Sequence, residues 1–158
     1  MSASNFLSLD QALQTTGWAV FKNNELVGHG TYQIPADKGM ETRLGLMFAE
    51  LNKLYKEYEF DFIVFEGIQN QQNAETFKRL AYVQATIMLW CYFENIGYEI
   101  LTPSEWRSKL SVSFGKKREE QKKKAMELVS DVFNIDVSSD EADAICIGLA
   151  HQKSKTCW

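Results

Sequence analysis

The 158-residue chain is 45% hydrophobic and 24% charged, the balance of a globular protein rather than a disordered one. No apolar run approaches the roughly 18 residues that span a bilayer, and the N-terminus lacks the basic region of a secretory signal. Three cysteines (Cys91, Cys146, Cys157), odd in number and without CxxC spacing, argue against a disulfide framework or a zinc site. A cytoplasmic chain is expected, folded as one domain over residues 1–158, because no linker, repeat or low-complexity tract divides it.

The opening predicts three strands: residues 5–10, residues 17–21, and a third near 25–34. Asn23-Asn24 supplies turn chemistry that tolerates positive φ between the second and third. Met40, Leu44, Met47, Leu51, Leu54 and Tyr58 step by four and three, the stripe of an amphipathic helix. Residues 61–66 predict a fourth strand. The next helix, about 74–95, is apolar on most of its faces, which calls for burial on more than one side, in the core or at a subunit interface. Met88 and Trp90 stand as candidates for its outer face. Tyr98 to Leu101 reads as a short fifth strand, followed by Thr102-Pro103-Ser104-Glu105, which combines an N-cap, proline at the first helical position and a capping-box glutamate. A basic helix is expected at about 117–132. Ser138-Ser139-Asp140-Glu141 opens the last one, again with capping-box spacing.

Four carboxylates stand out on this frame. Asp10 ends the first apolar strand and Glu66 ends the fourth, at the sheet edge where ligand sites of α/β folds form. Asp140 and Asp143, three apart, share one face of the last helix. Oxygen donors from separate parts of a chain suit hard divalent cations such as Mg²⁺ or Mn²⁺ better than zinc, and point to phosphodiester chemistry. The bland alternatives are a turn at Asp10 and simple complementation of the helix dipole at Asp140 and Asp143. Glu66 is harder to dismiss, since an unpaired carboxylate after four apolar residues would be costly to bury.

The net charge of −4 is unevenly spread. Residues 103–125 hold eight bases against three acids, a local +5 that leaves −9 elsewhere. Arg107, Lys109, Lys116, Lys117, Arg118, Lys122, Lys123 and Lys124 form this segment, a footprint for a phosphate backbone or else a solvated helix face. His151 trails an apolar helix face and is expected to interact with the C-terminal dipole. His29 shows no partner in the sequence.

The order β-β-β-α-β-α-β-α with a final acidic helix resembles the ribonuclease H-like α/β fold, a mixed five-stranded sheet flanked by helices. Within it, "LSLDQALQTTGWAV", "FIVFEGIQNQQN" and "DEADAICIGLAH" resemble the motifs of the RuvC family of Holliday junction resolvases, its bacteriophage members in particular. The resemblance implies that Asp10, Glu66, Asp140 and Asp143 are catalytic metal ligands, with two Mg²⁺ per active site and Mn²⁺ as the alternative. It further implies a homodimer that binds four-way DNA junctions and nicks two strands of like polarity, leaving 5′-phosphates. Lys109, Lys116, Lys117 and Arg118 fall where the family places basic residues near the scissile phosphate, and Lys122 continues that segment. Two departures are visible. Gln11-Ala12 replaces the family's Pro-Gly after the first aspartate, and Gln69 stands where an aromatic usually stacks on junction bases. Three rivals remain: a non-catalytic junction-binding protein of the same fold, a nuclease acting on RNA–DNA hybrids, and, from the first motif, the phosphate loop of the sugar kinase and actin superfamily. That last class needs a duplicated domain, which this length does not hold.

Overall fold

The structure, a computed structural model, describes residues 5–69 and 72–155. Five strands form one sheet, β1 (Phe6–Asp10), β2 (Thr15–Lys22), β3 (Glu25–Gln33), β4 (Phe62–Glu66) and β5 (Gly97–Leu101), in the order β3-β2-β1-β4-β5. β1, β2 and β3 pair antiparallel, while β1–β4 and β4–β5 pair parallel. The predicted reversal at Asn23-Asn24 is present: both residues have positive φ, 52° and 68°, which matches the twist a two-residue hairpin needs.

Side-chain alternation divides β1 between two cores. Leu7 and Leu9 face one side with Val20, Ile63 and Phe65, and there they meet α1 (Met40–Tyr58) and α2 (Ala74–Glu94). Phe6 faces the other side with Ala19, Phe21 and Val64, under α3 (Pro103–Lys109), α4 (Arg118–Phe133) and α5 (Ser139–Lys155). By the same alternation Asp10 and Glu66 belong to the row that faces α5. Cys91 and Cys146 are buried thiols in these cores, whereas Cys157 lies outside the described residues.

The helix starts follow the sequence signals. Thr102 Oγ1 accepts the amide of Glu105 at 3.2 Å, and Pro103 is the first residue of α3. Ser138 Oγ accepts the amide of Glu141 at 3.3 Å and donates to its carboxylate at 3.1 Å. Helix α2 is only partly enclosed. Val83, Thr86, Ile87, Trp90 and Cys91 are buried, whereas Leu89, Tyr92 and Phe93 stay 55%, 78% and 70% exposed. Trp90 is therefore a core residue rather than an outer-face one: its indole is fully buried and donates to Asn52 Oδ1 of α1 at 2.8 Å.

The two histidines differ from expectation. His151 is buried, not at the helix end, because α5 runs a further turn to Lys155. Its ring stacks on Phe62 at 5.2 Å and meets the edge of Phe6 at 4.6 Å. His29 Nδ1 lies 2.6 Å from Glu141 Oε2, joining β3 to the first turn of α5.

Candidate active site

Three local devices bring the carboxylates to one sheet edge. The first is a gap in the side-chain layer. Gly17 on β2 pairs with Asp10 on β1, and a Cβ built on Gly17 would lie 2.0 Å from the carbonyl oxygen of Asp140. Only glycine admits the start of α5 at that height above the sheet. Further along, Ser8 Oγ donates to the carbonyl of Ala144 at 2.7 Å, and a Cβ on Gly148 would meet Phe21 at 2.3 Å. Helix α5 thus lies unusually close on β1 and β2, with Asp140 and Asp143 over the end of β1.

The second device is Gln11. Its amide oxygen accepts the backbone N–H of Glu66 at 3.2 Å while its amide nitrogen donates to the Glu66 carbonyl. One side-chain amide stands in for a peptide unit and extends the β1–β4 ladder one step past Asp10. Asp10 and Glu66 are thereby fixed side by side. The departure from Pro-Gly is a local alternative, since neither proline nor glycine could make this clamp.

The third device is α3. Trp106 is completely buried and its Nε1 donates to Glu66 Oε2 at 2.8 Å. The Arg107 guanidinium lies 4.9 Å from the Trp106 ring centroid, a cation–π arrangement. Arg107 Nε is buried without a partner among the described residues, and the cation is close enough to oppose the upward shifts of Asp10, Glu66 and Asp143.

Burial raises the Asp10 carboxyl well above its ordinary range, and Glu66, Asp143 and Asp140 add to this as like charges. Glu66 is raised by burial, against the Trp106 hydrogen bond and Arg107. Burial also pushes Asp143 up to about 7, with Glu66 adding to the shift and Arg107, then Lys122, opposing it. Desolvated carboxylates that crowd one another have a high affinity for protons and, for the same electrostatic reason, for cations. The donor set is oxygen only, which fits a hard divalent ion. Among the described residues no three His, Cys, Asp or Glu side chains are gathered tightly enough to grip an ion as they stand.

The basic residues divide into two groups. Lys122 on α4 is half-buried and reaches Asp143 electrostatically, while Lys116, Lys117 and Arg118 are exposed at the entry to that helix. Lys109 is half-buried and its ammonium donates to Ser154 on α5, so it ties α3 to α5. Gln69 is exposed beside Glu66, at the rim of a cavity of about 80 Å³ that also involves Gln11 and Leu80. The sequence alone does not single out Gly17, Gln11 or Trp106 as parts of the site, and it shows Arg107 only as one of eight bases. The legible signal for Arg107 is its place directly after a tryptophan in a well-capped helix.

A 3-2-1-4-5 mixed sheet, with acids at the ends of its first and fourth strands and in the first turn of the closing helix, is a ribonuclease H-like architecture. The sequence model of the family described as crossover junction endodeoxyribonuclease RuvC matches residues 6–151, and the chain belongs to that family. The RuvC of Syntrophomonas wolfei is 24% identical over 152 residues, covering 94% of this chain and 88% of the relative. Among solved structures, T. thermophilus RuvC in complex with a Holliday junction substrate shares the fold at a TM-score of 0.81 and 12% identity, over 96% of this chain and 94% of that one. Fowlpox virus resolvase, solved with Holliday junction DNA, aligns at 0.64 and 15% identity, over 96% and 99% of the two chains.

Proposed function

We propose that the protein is a metal-dependent, structure-selective endonuclease that nicks four-way junctions and other branched DNA in the cytoplasm, its whole length serving as one nuclease domain. The observation that carries this reading is the convergence of Asp10, Glu66 and Asp143 into one desolvated group of mutually repelling carboxylates that Asp140, Arg107 and Lys122 also reach. Membership of the family and the junction-bound structures of relatives support it.

Asp10, Glu66, Asp140 and Asp143 would hold Mg²⁺, two ions per site, or Mn²⁺ in its place. Such ions, when bound, activate a water for in-line attack and stabilise the departing 3′-oxygen, leaving a 5′-phosphate. The chain's own groups do the rest. Trp106 N–H and the Gln11 clamp hold Glu66 in a single orientation. Arg107 and Lys122 supply positive charge beside the acids and lower the cost of bringing a phosphodiester to them. Lys116, Lys117 and Arg118 extend that attraction outwards along α4, with Lys109 and Gln69 at the margins of the DNA path. Two opposed incisions call for two sites related by a two-fold axis, and the uncovered apolar side of α2 is the surface for a homodimer.

The test is incubation with a labelled four-way junction and Mg²⁺, beside linear duplex, a three-way fork and an RNA–DNA hybrid. Paired nicks in the junction with 5′-phosphate ends are expected. Cleavage of the hybrid alone would assign the protein to the ribonucleases, and junction binding without any incision would make it a non-catalytic binder.

A further inference from the structure

Outside the carboxylate edge, the molecule carries a second concentration of positive charge, assembled from residues scattered along the sequence. A cavity of about 400 Å³ opens between the N-terminal ends of α1 and α2, lined by Lys38, Arg43, Lys78 and Arg79 together with Glu75 and Tyr82. Among the described residues, four bases thus face a single acid. Glu75 is already spanned by Lys78 at 3.0 Å and Arg79 at 3.3 Å, so it acts to align these two cations. Glu41, the acid in the first turn of α1, does not line the cavity.

Arg43 is the unusual member. It is 5% exposed, its guanidinium donates to the carbonyl of Leu13, and its Nε is buried with no partner among the described residues. A buried guanidinium is costly unless its charge is offset, and Arg43 keeps a fixed positive charge in the cavity wall that would draw an anion. Exposed Lys38 and Arg79 flank it, Arg79 held by Glu75.

The topology fixes where this cavity sits. β3 runs in the same direction as β1, so the start of α1 emerges on the edge where β1 ends in Asp10. Helix α2 follows the end of β4, where Glu66 stands, and Leu13 belongs to the loop directly after Asp10. The cavity therefore flanks the carboxylate edge from the α1–α2 layer, while Lys116 to Lys122 flank it from the α4–α5 layer. A duplex arm lying across the edge meets cations on both sides.

We propose that Lys38, Arg43, Lys78 and Arg79 form a phosphate-binding site that takes a backbone phosphate of the branched DNA, on the far side of the sheet edge from the basic segment of α4. This rests on the proposed nuclease function and adds the path of the second DNA contact. The pocket's task is positioning, so it sets affinity rather than the chemical step.

The full-length Lys38→Ala/Arg79→Ala variant tests this, since both residues are exposed and Arg43, which supports the loop at Leu13, is left intact. Binding of a fluorescent four-way junction is measured in chelator at several salt concentrations. Affinity should fall about tenfold, and the slope of log affinity against log salt should flatten by about one for each phosphate no longer engaged. Nicking at saturating protein should stay within about twofold, and Lys38→Arg/Arg79→Lys should restore binding. Wild-type affinity and slope in the alanine variant, alongside weakened binding by Lys116→Ala/Lys117→Ala/Arg118→Ala, would overturn this site and leave the nuclease reading standing. A wild type that neither binds nor nicks branched DNA would remove both. Inorganic phosphate provides the other arm. If it raises the melting temperature of the wild type but not of the variant while junction binding is equal, the pocket takes free anions and the DNA assignment falls.

Discussion

A Cβ on Gly17 would lie 2.0 Å from the carbonyl oxygen of Asp140. At this point the strand that pairs with Asp10 and the helix that carries Asp140 and Asp143 meet backbone to backbone. Gly17→Ala must lift the first turn of α5 away from β1, and it moves two carboxylates while leaving every carboxylate in the chain. Overpacking of this kind costs about 1–3 kcal/mol. The expected variant is folded, melts several degrees lower and loses most of its nicking activity. Thermal melts paired with junction cleavage check it; wild-type cleavage at an unchanged melting temperature would show that α5 has slack.

Carboxamide replacements separate chemistry from charge. Asp10→Asn, Glu66→Gln, Asp140→Asn and Asp143→Asn should each reduce nicking by about a hundredfold or more. Junction binding in chelator should be retained or tightened, because each change removes a charge that repels phosphate. A carboxylate whose replacement leaves the wild-type nicking rate is not a ligand.

Gln11 gives a finer test of positioning. Gln11→Ala removes two hydrogen bonds to the Glu66 backbone, a cost of about 1–3 kcal/mol. In Gln11→Glu the carboxylate can no longer donate to the Glu66 carbonyl. Both should slow single-turnover nicking about tenfold, Gln11→Ala with the junction dissociation constant unchanged; Gln11→Glu should be the slower and, because its new charge repels phosphate, should also bind the junction more weakly. Equal rates in all three proteins would show that the ladder between β1 and β4 needs no extension.

The strands and helices are legible in the sequence because apolar periodicity and caps are local: Asn23-Asn24, Thr102-Pro103 and Ser138 act as their chemistry requires. Asp10 and Glu66 are legible because a carboxylate ending an apolar strand has few ordinary uses. What stays hidden depends on distance in three dimensions. Nothing near Gly17 in the chain announces a helix that begins some 120 residues later, and Trp106 becomes a partner of Glu66 only when the fold brings α3 to the end of β4. Trp90 falls on the buried side of α2, against expectation, because a helix apolar on most faces gives no phase to its own burial. The buried Arg43 is invisible in the sequence because a single arginine among exposed charges carries no periodic signal.

The acid cluster also sets a pH dependence. Asp143 titrates at about 7 in the native protein against an ordinary value of 3.8, so between these limits the folded state holds a proton that the unfolded chain has released. Stability must then fall as pH rises from about 4 to about 7 and level off above that. Asp10, shifted the same way, adds to the slope. In chelator the melting temperature should drop by several degrees from pH 5 to pH 7.5. Asp143→Asn should melt higher than wild type at pH 7.5 and show a shallower decline. Millimolar Mg²⁺ should recover wild-type stability at pH 7.5 while adding little at pH 5. A melting temperature that rises across this range would refute the buried, repulsive character of the cluster.

Assembly can be tested on the face of α2 that the protein's own core leaves bare. Leu89 and Tyr92 are exposed, and they border a concavity of about 820 Å³ with Met88, Ile96 and Tyr98. So much uncovered apolar surface is expensive in water and fits burial against a second copy. Because both side chains already point outward, Leu89→Asp and Tyr92→Asp should leave the monomer folded, unlike any change at Trp90, which would open the core. Light scattering at micromolar concentration should give the wild type twice its chain mass of 18.1 kDa, and the variants the single mass. The monomeric variants should bind junctions about tenfold or more weakly and, where they nick, should cut one strand at a time rather than two together. A wild type that stays at the single mass even with junction DNA present would remove the dimer and the symmetric pair of incisions with it.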